Sequence, residues 1–164
     1  TYLKENTKNA LESIAQFCTE SELSVSCAES CTAGGIAYAL TEVEGASAWF
    51  KESYVTYANS AKMHLVNVGA ETLEQYGAVS EPTVMAMASG CCARAQADIG
   101  ISVSGIAGPG GGSAEKPVGT VWFAWTIKGE IFTSKQVFTG DRTAIRQAAI
   151  DFAITELARK ILDK

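Results

Sequence analysis

Ser24-Val25-Ser26-Cys27-Ala28-Glu29-Ser30-Cys31-Thr32-Ala33-Gly34-Gly35 is the stretch that decides the fold. Its first half, Ser24 to Glu29, reads as a short strand of small residues. Ser30 to Gly35 is turn-forming and supplies capping residues for a helical run through Leu40. Strand, turn and helix in that order form the building unit of a parallel sheet. Working outward, Leu11, Ile14, Ala15 and Cys18 recur at helical spacing, so residues 6–21 are predicted as an amphipathic helix.

Downstream, Gly45-Ala46-Ser47 is a break, and Tyr54-Val55-Thr56-Tyr57 reads as a β-rich strand. Asn59 is placed to cap a helix from Ser60 towards Val66, and a second short helix is predicted over Glu71–Gln75. Ser80-Glu81-Pro82 opens a longer helix to about Ala97, with Pro82 in the first turn, where its missing N–H has no partner to lose. Ile99–Ser104 is the third strand and Gly105–Ser113 a glycine-rich loop. Val118–Ile127 and Ile131–Phe138 flank Lys128-Gly129-Glu130 as a hairpin. Asp141 begins the last helix, with Ile150, Ile154, Leu157 and Ile161 on one stripe. This order predicts a single α/β domain over residues 1–164. The expected architecture is a three-layer α/β/α sandwich around a mixed, mostly parallel five-stranded sheet. Ligands of such sheets bind at the carboxyl ends of the strands, so Glu29–Thr32, Tyr57–Lys62 and Ser104–Gly112 are expected to converge.

Composition supports a folded domain and excludes several classes of function. The 164 residues are 47% hydrophobic and 19% charged, unlike a disordered chain. A net charge of −5 argues against direct nucleic-acid binding. No apolar run reaches the roughly 18 residues of a membrane span, and Thr1–Asn6 lacks the basic and apolar regions of a secretory signal. A cytoplasmic protein is the expectation. Five cysteines (Cys18, Cys27, Cys31, Cys91 and Cys92) form no C-x-x-C pair, and His64 is the sole histidine. No metal site is expected, and the thiols read as reduced. Cys31, ahead of a helix, is the one cysteine in a position that could favour a thiolate.

The residues suited to chemistry are few. Ser47 lies among small residues ahead of Trp49 and Phe50; by itself such a serine is ordinary turn chemistry. Lys62 is expected as the third residue of the helix capped by Asn59, at the positive end of its dipole. There, the field of the dipole, with any burial, would depress its pKa towards that of a general base. Taken with Ser47 and Tyr57, it suggests a Ser–Lys arrangement, since a chain with one histidine is poorly equipped for the histidine-based triad. The glycine-rich loop could present N–H groups to an anion, although it matches neither the Walker nor the dinucleotide fingerprint. Arg142, beside the last helix start, could grip a phosphate, with Arg146 one turn on.

Seven motifs carry a family resemblance: Ala28–Gly34, Gly45–Phe50, Val55–Lys62, Gly77–Pro82, Ser104–Pro109, Lys116–Val121 and Gly140-Asp141-Arg142. In this order, over nearly the whole chain, the sequence resembles the CinA C-terminal domain family. That family includes nicotinamide mononucleotide (NMN) deamidases, which hydrolyse NMN to nicotinic acid mononucleotide and ammonia in pyridine-nucleotide recycling. The resemblance implies Ser47 as nucleophile with Lys62 and Tyr57 as its activating partners. It also implies substrate contacts from Glu29, which a helix-entrance cap explains equally well, and from Ser30, Ser104, Gly105, Gly108, Arg142 and Arg146, with no cofactor and a homodimer. Ala33 stands where many relatives carry glycine, which makes this helix entrance less permissive. Two other functions fit the same residues: a non-catalytic protein-binding module linked to competence or DNA damage, and an amidohydrolase for a related carboxamide.

Overall fold

The computed structural model describes residues 3–163; residues 1, 2 and 164, the ends of the expected domain span, lie outside the described residues. The elements run α1 (Glu5–Ser21), β1 (Val25–Glu29), α2 (Gly35–Leu40), a 3-10 turn (Ala46–Ala48) and β2 (Tyr54–Val55). They continue with α3 (Asn59–Val66), α4 (Ala70–Tyr76), α5 (Glu81–Ala95), β3 (Ile99–Gly105), β4 (Thr120–Ile127), β5 (Glu130–Val137) and α6 (Arg142–Leu162). The sheet order is β2-β1-β3-β4-β5. β1 pairs in parallel with β2 and β3, while β3–β4 and β4–β5 are antiparallel. Four strands therefore share one direction and β4 alone opposes them, which is the mixed sheet expected from the sequence.

Side-chain alternation along the strands splits the core into two layers. Val25, Cys27, Ile101, Val103, Phe123 and Trp125 pack with α1, α2 and α6. Ala28, Ala124 and Trp122 face the other side, with Tyr54, Val66, Val84, Met87 and Ala88 around α3, α4 and α5. The opposite parity of Trp122 and Trp125 thus puts them on opposite faces. Trp125 is fully buried, stacked on Phe123 at 5.7 Å between ring centroids, and its indole N–H donates to the carbonyl of Ala153 at 3.0 Å. Burying such a side chain stabilises the domain by about 3 kcal/mol.

Two contacts fix the helices that matter below. Gly90 in α5 lies against the last turn of α3, where a Cβ would run into the carbonyl oxygen of Val66. Ser102 Oγ donates to the carbonyl of Val84 at 2.6 Å, holding α5 on β3. Together they set the height of α3 over the sheet, and α3 carries Lys62.

Local boundaries differ from expectation where the backbone turns without glycine. α5 stops at Ala95 because Gln96 takes a left-handed conformation, φ 54°, and its N–H bonds back to Cys92. β2 has two residues where four were expected, since its partner β1 ends at Glu29. Asn59 is the first residue of α3, and Ala58 holds the cap position. Lys62 is consequently the fourth helical residue, with its N–H on the carbonyl of Ala58. No described helix is long and apolar enough to cross a membrane.

Candidate active site

The strand β1 ends in Glu29, and the chain then reverses through Ser30–Gly34 into α2. Glu29 organises this reversal. Its carboxylate, 1% exposed, accepts from Thr32 Oγ1 at 2.6 Å and from the N–H groups of Ile36 and Ala37 at 2.8 and 3.0 Å. Those N–H groups belong to the first turn of α2 and have no helical acceptor, so an anion there satisfies them. Glu29 is thus the cap of α2. It does not line the cavity described next, so of the two readings of Glu29, substrate contact and helix-entrance cap, its geometry is that of the cap.

Beside the reversal lies a cavity of about 210 Å³ lined by Ser30, Cys31, Tyr57, Asn59, Lys62, Ala78, Val79, Ser104, Gly105, Ala107 and Arg142. The three segments expected to converge at the carboxyl ends of the strands do meet here. Lys62 is 1% exposed. Its Nζ donates to the carbonyl of Thr56 at 2.9 Å, the carbonyl of Tyr57 at 3.1 Å and Ser30 Oγ at 3.1 Å. None of these partners is an anion. Burial therefore pulls the lysine pKa below its ordinary 10.5, because a charge removed from water without a counter-ion is disfavoured. The direction matches expectation, with burial as the leading cause.

In its neutral form the amine has two N–H bonds and one lone pair. The two carbonyls take the N–H groups, and the lone pair then faces the Ser30 hydroxyl. Ser30, itself 7% exposed, is so placed that a neighbouring amine can accept its proton. Its position at a sharp strand-to-helix turn resembles that of the nucleophile in α/β-hydrolases. The sequence reading assigned Ser30 to substrate contact only. A separation of 32 residues from Lys62 gave no local cue to the pairing.

Ser47 is elsewhere. It lies exposed on the 3-10 turn, and its carbonyl accepts from Lys51 Nζ at 3.1 Å. The segment after it is tied to the amino end of β1, where the N–H of Val25 donates to Trp49 and Val25 bridges Phe50. Ser30 follows the carboxyl end of the same strand, five residues on and roughly 17 Å away at a strand's rise. The expected Ser47–Lys62 pair therefore does not form within this chain.

Tyr57 and Arg142 mark the mouth of the cavity. The Tyr57 hydroxyl accepts from Arg142 Nη2 at 3.1 Å, and Arg142 Nη1 donates to the carbonyl of Gly108 at 2.7 Å. The glycine-rich loop thus offers Arg142 a carbonyl, the reverse of the N–H cradle expected for an anion. Gly108 itself adopts φ +79° against Val118, a place only glycine fits without strain. Ser104, 1% exposed, and Gly105 close the floor at the end of β3. Arg146 lies on the far side of the reversal, its Nε donating to the carbonyl of Cys31 at 2.9 Å. Burial pushes the Cys31 thiol up to about 11, so it is no thiolate nucleophile. Among the described residues no group of three or more His, Cys, Asp or Glu is placed to hold a metal.

Comparison with known proteins agrees with this architecture. The chain is 55% identical over 139 residues to nicotinamide-nucleotide amidohydrolase PncC of Enterobacter agglomerans, covering 84% of this chain and 85% of that one. It is 49% identical over 152 residues to the protein of the same name from Escherichia coli, covering 92% of each. The crystal structure of competence damage-inducible protein A from Klebsiella pneumoniae superposes with a TM-score of 0.92 at 39% identity, covering 96% of this chain and 98% of that one. Residues 7–161 match the CinA C-terminal domain, and the chain belongs to that family.

Proposed function

We propose that the protein hydrolyses the carboxamide of nicotinamide mononucleotide, releasing ammonia and nicotinic acid mononucleotide, with Ser30 as nucleophile and Lys62 as its general base. The observation that carries the mechanism is the hydrogen bond between a buried lysine, with no counter-ion among the described residues, and a serine hydroxyl in a cavity wall. The PncC relatives, similar over most of their length, supply the substrate.

The reaction runs in two halves. Lys62, neutral, takes the Ser30 proton as Oγ attacks the carboxamide carbon. Lys62 then carries the positive charge, and the carbonyls of Thr56 and Tyr57 stabilise it. Collapse of the tetrahedral adduct passes that proton to the leaving nitrogen, which departs as ammonia and leaves a Ser30 ester. Water, deprotonated by Lys62, attacks the ester, and the proton returns to Ser30 as the acid leaves. Ser104, on the floor, is within the cavity to donate its hydroxyl to the developing oxyanion. Arg142 stands at the mouth, tying the carbonyl of Gly108 to the Tyr57 hydroxyl. Tyr57 has two parts: its carbonyl holds Lys62, and its hydroxyl keeps Arg142 in place.

The test is ammonia and nicotinic acid mononucleotide release from NMN by wild type, Ser30→Ala, Lys62→Ala and Ser47→Ala, each shown to be folded. Ser30→Ala and Lys62→Ala are expected to lose at least about a thousandfold in kcat. Ser47→Ala is expected to stay within about twofold, as a surface change remote from the chemistry. A folded Ser30→Ala protein with full activity would overturn the mechanism. A folded wild type that releases no ammonia from NMN would overturn the substrate.

A further inference from the structure

The cavity at Lys62 is about 210 Å³, smaller than the roughly 300–1,000 Å³ usual for small-molecule sites. A second, larger cavity of about 520 Å³ opens on the other flank of the same reversal, lined by Thr32, Ala33, Gly34, Gly35, Tyr38, Thr143, Arg146, Gln147 and Ile150. Ser30 and Thr32 are two residues apart, so the two cavities start within at most about 7 Å of each other along the chain.

The two arginines differ in what their forks have left to offer. Arg142 has Nη1 on the carbonyl of Gly108 and Nη2 on the Tyr57 hydroxyl, so both of its terminal nitrogens are already engaged by protein groups. Arg146 is anchored through Nε alone, on the carbonyl of Cys31, and its two terminal nitrogens bond no protein group among the described residues. No carboxylate lines its cavity, while Thr143 adds a hydroxyl and Gln147 an amide. Fixed at one nitrogen and open at two, the Arg146 fork is preorganised for a tetrahedral oxyanion.

Resting on the amidohydrolase reading above, the geometry points to a substrate that straddles the reversal. Its carboxamide enters the small cavity at Ser30, and its 5′-phosphate sits in the larger one on Arg146. Arg146 is then the group that selects a nucleotide over the corresponding nucleoside, and Arg142 a bracket between the glycine-rich loop and Tyr57. The anchor on Cys31 also places the phosphate group's partner one residue from the nucleophile, so both ends of the substrate are registered on a single turn.

The experiment compares kcat/KM for NMN and for nicotinamide riboside, which has the same amide and no phosphate, in wild type, Arg146→Gln and Arg142→Gln. Any disturbance of the turn lowers both substrates alike and cancels in their ratio. Arg146→Gln is expected to cut the preference for NMN over the riboside about 10- to 100-fold, carried by KM, the size of hydrogen bonds to a charged group. Arg142→Gln is expected to lower both substrates together. A phosphate-selective loss in Arg142→Gln with none in Arg146→Gln would overturn the assignment. Calorimetric binding of NMN and the riboside to the same proteins reads the subsite without turnover. A wild type that binds NMN but does not cleave it would sink the amidohydrolase reading, while the effect of Arg146→Gln on the NMN-to-riboside affinity ratio still decides where the phosphate sits.

Discussion

The two ends of β1 each carry a serine in a turn of small residues, and the structure treats them differently. At the amino end, Ser47 lies exposed between Ala46 and Ala48, with its carbonyl engaged by Lys51. At the carboxyl end, Ser30 is buried, its turn is capped by Glu29, and its hydroxyl meets a lysine that has no counter-ion among the described residues. Turn chemistry alone makes both look alike. What separates them is a long-range contact that changes the proton affinity of one. A serine becomes a nucleophile through the base beside it, and the base becomes one through burial.

The largest expected effects break this comparison at the base. Beyond the thousandfold losses in Ser30→Ala and Lys62→Ala, the rate should depend on pH with a definite sign. Lys62 works when neutral, and its pKa lies below 10.5, so log kcat/KM is expected to climb with unit slope on the acid side and level off above the lysine's folded pKa. Stability follows the same group. With the folded pKa below the unfolded one, the unfolded chain binds more protons between the two values, and this lysine's contribution to stability rises with pH across that window. Below both values the folded protein holds a desolvated ammonium in full. Lys62→Met, which removes that burden, is expected to leave the protein inactive and to raise Tm at neutral pH. A wild-type pH–rate profile with no acid limb anywhere in the range where the protein stays folded would remove Lys62 from the chemistry.

Next in size is the packing that sets the lysine's height. Gly90 leaves no room for a Cβ against the carbonyl of Val66, backbone that cannot swing aside. Gly90→Ala is expected to destabilise the domain by about 2–3 kcal/mol, in the overpacking range, and to lower kcat in whatever fraction folds, because α3 moves with Lys62. No equivalent contact supports the Ser47 turn: Gly45, which precedes it, has nothing within 4 Å of a Cβ. Chemical denaturation of Gly90→Ala reads the first effect and single-turnover rates the second.

How legible all this was in the sequence depends on the range of the contacts involved. The strands β1 and β3, the amphipathic α1 and the stripe Ile150, Ile154, Leu157 and Ile161 of α6 are local patterns, and the structure repeats them. Convergence at the carboxyl ends of the strands follows from topology, and the segments expected there, Glu29–Thr32, Tyr57–Lys62 and Ser104–Gly112, contain Ser30, Tyr57, Lys62 and Ser104. Their pairing was not legible. Lys62 reaches Ser30 because Thr56 bonds the carbonyl of Glu29, bringing the start of α3 beside the end of β1. Periodicity carries no trace of that register. Glu29 differs, because a carboxylate at a helix entrance already reads as a cap, and its two oxygens take that part for a helix that begins six residues later.

Glu29 gives a smaller effect. Glu29→Gln keeps the shape of the cap but offers one acceptor oxygen where the carboxylate gives two. It is expected to destabilise by about 1–2 kcal/mol, the usual range for a lost helix cap, and to lower kcat severalfold as the Ser30 turn loosens. Differential scanning calorimetry beside the deamidase assay separates the two.

The smallest effects sharpen the comparison at the backbone, where the two turns carry opposite faults. Ala33, in the Ser30 turn, holds φ +49°, a left-handed conformation in which its Cβ crowds the carbonyl. Gly45, before Ser47, holds φ +87° with a residue suited to it. Exchanging the residue types should therefore have opposite signs: Ala33→Gly is expected to stabilise by about 0.5–1 kcal/mol and Gly45→Ala to destabilise by about 1 kcal/mol. At roughly 2–4 °C of Tm per kcal/mol in a domain of this size, both are within reach of a melting curve. The catalytic consequence should differ as well. Relaxing the Ser30 turn changes the definition of a nucleophile's position and is expected to lower kcat slightly even as Tm rises. Straining the Ser47 turn should leave kcat alone. An Ala33→Gly protein that gained both stability and rate would mean that the left-handed alanine serves no purpose in holding Ser30 against Lys62.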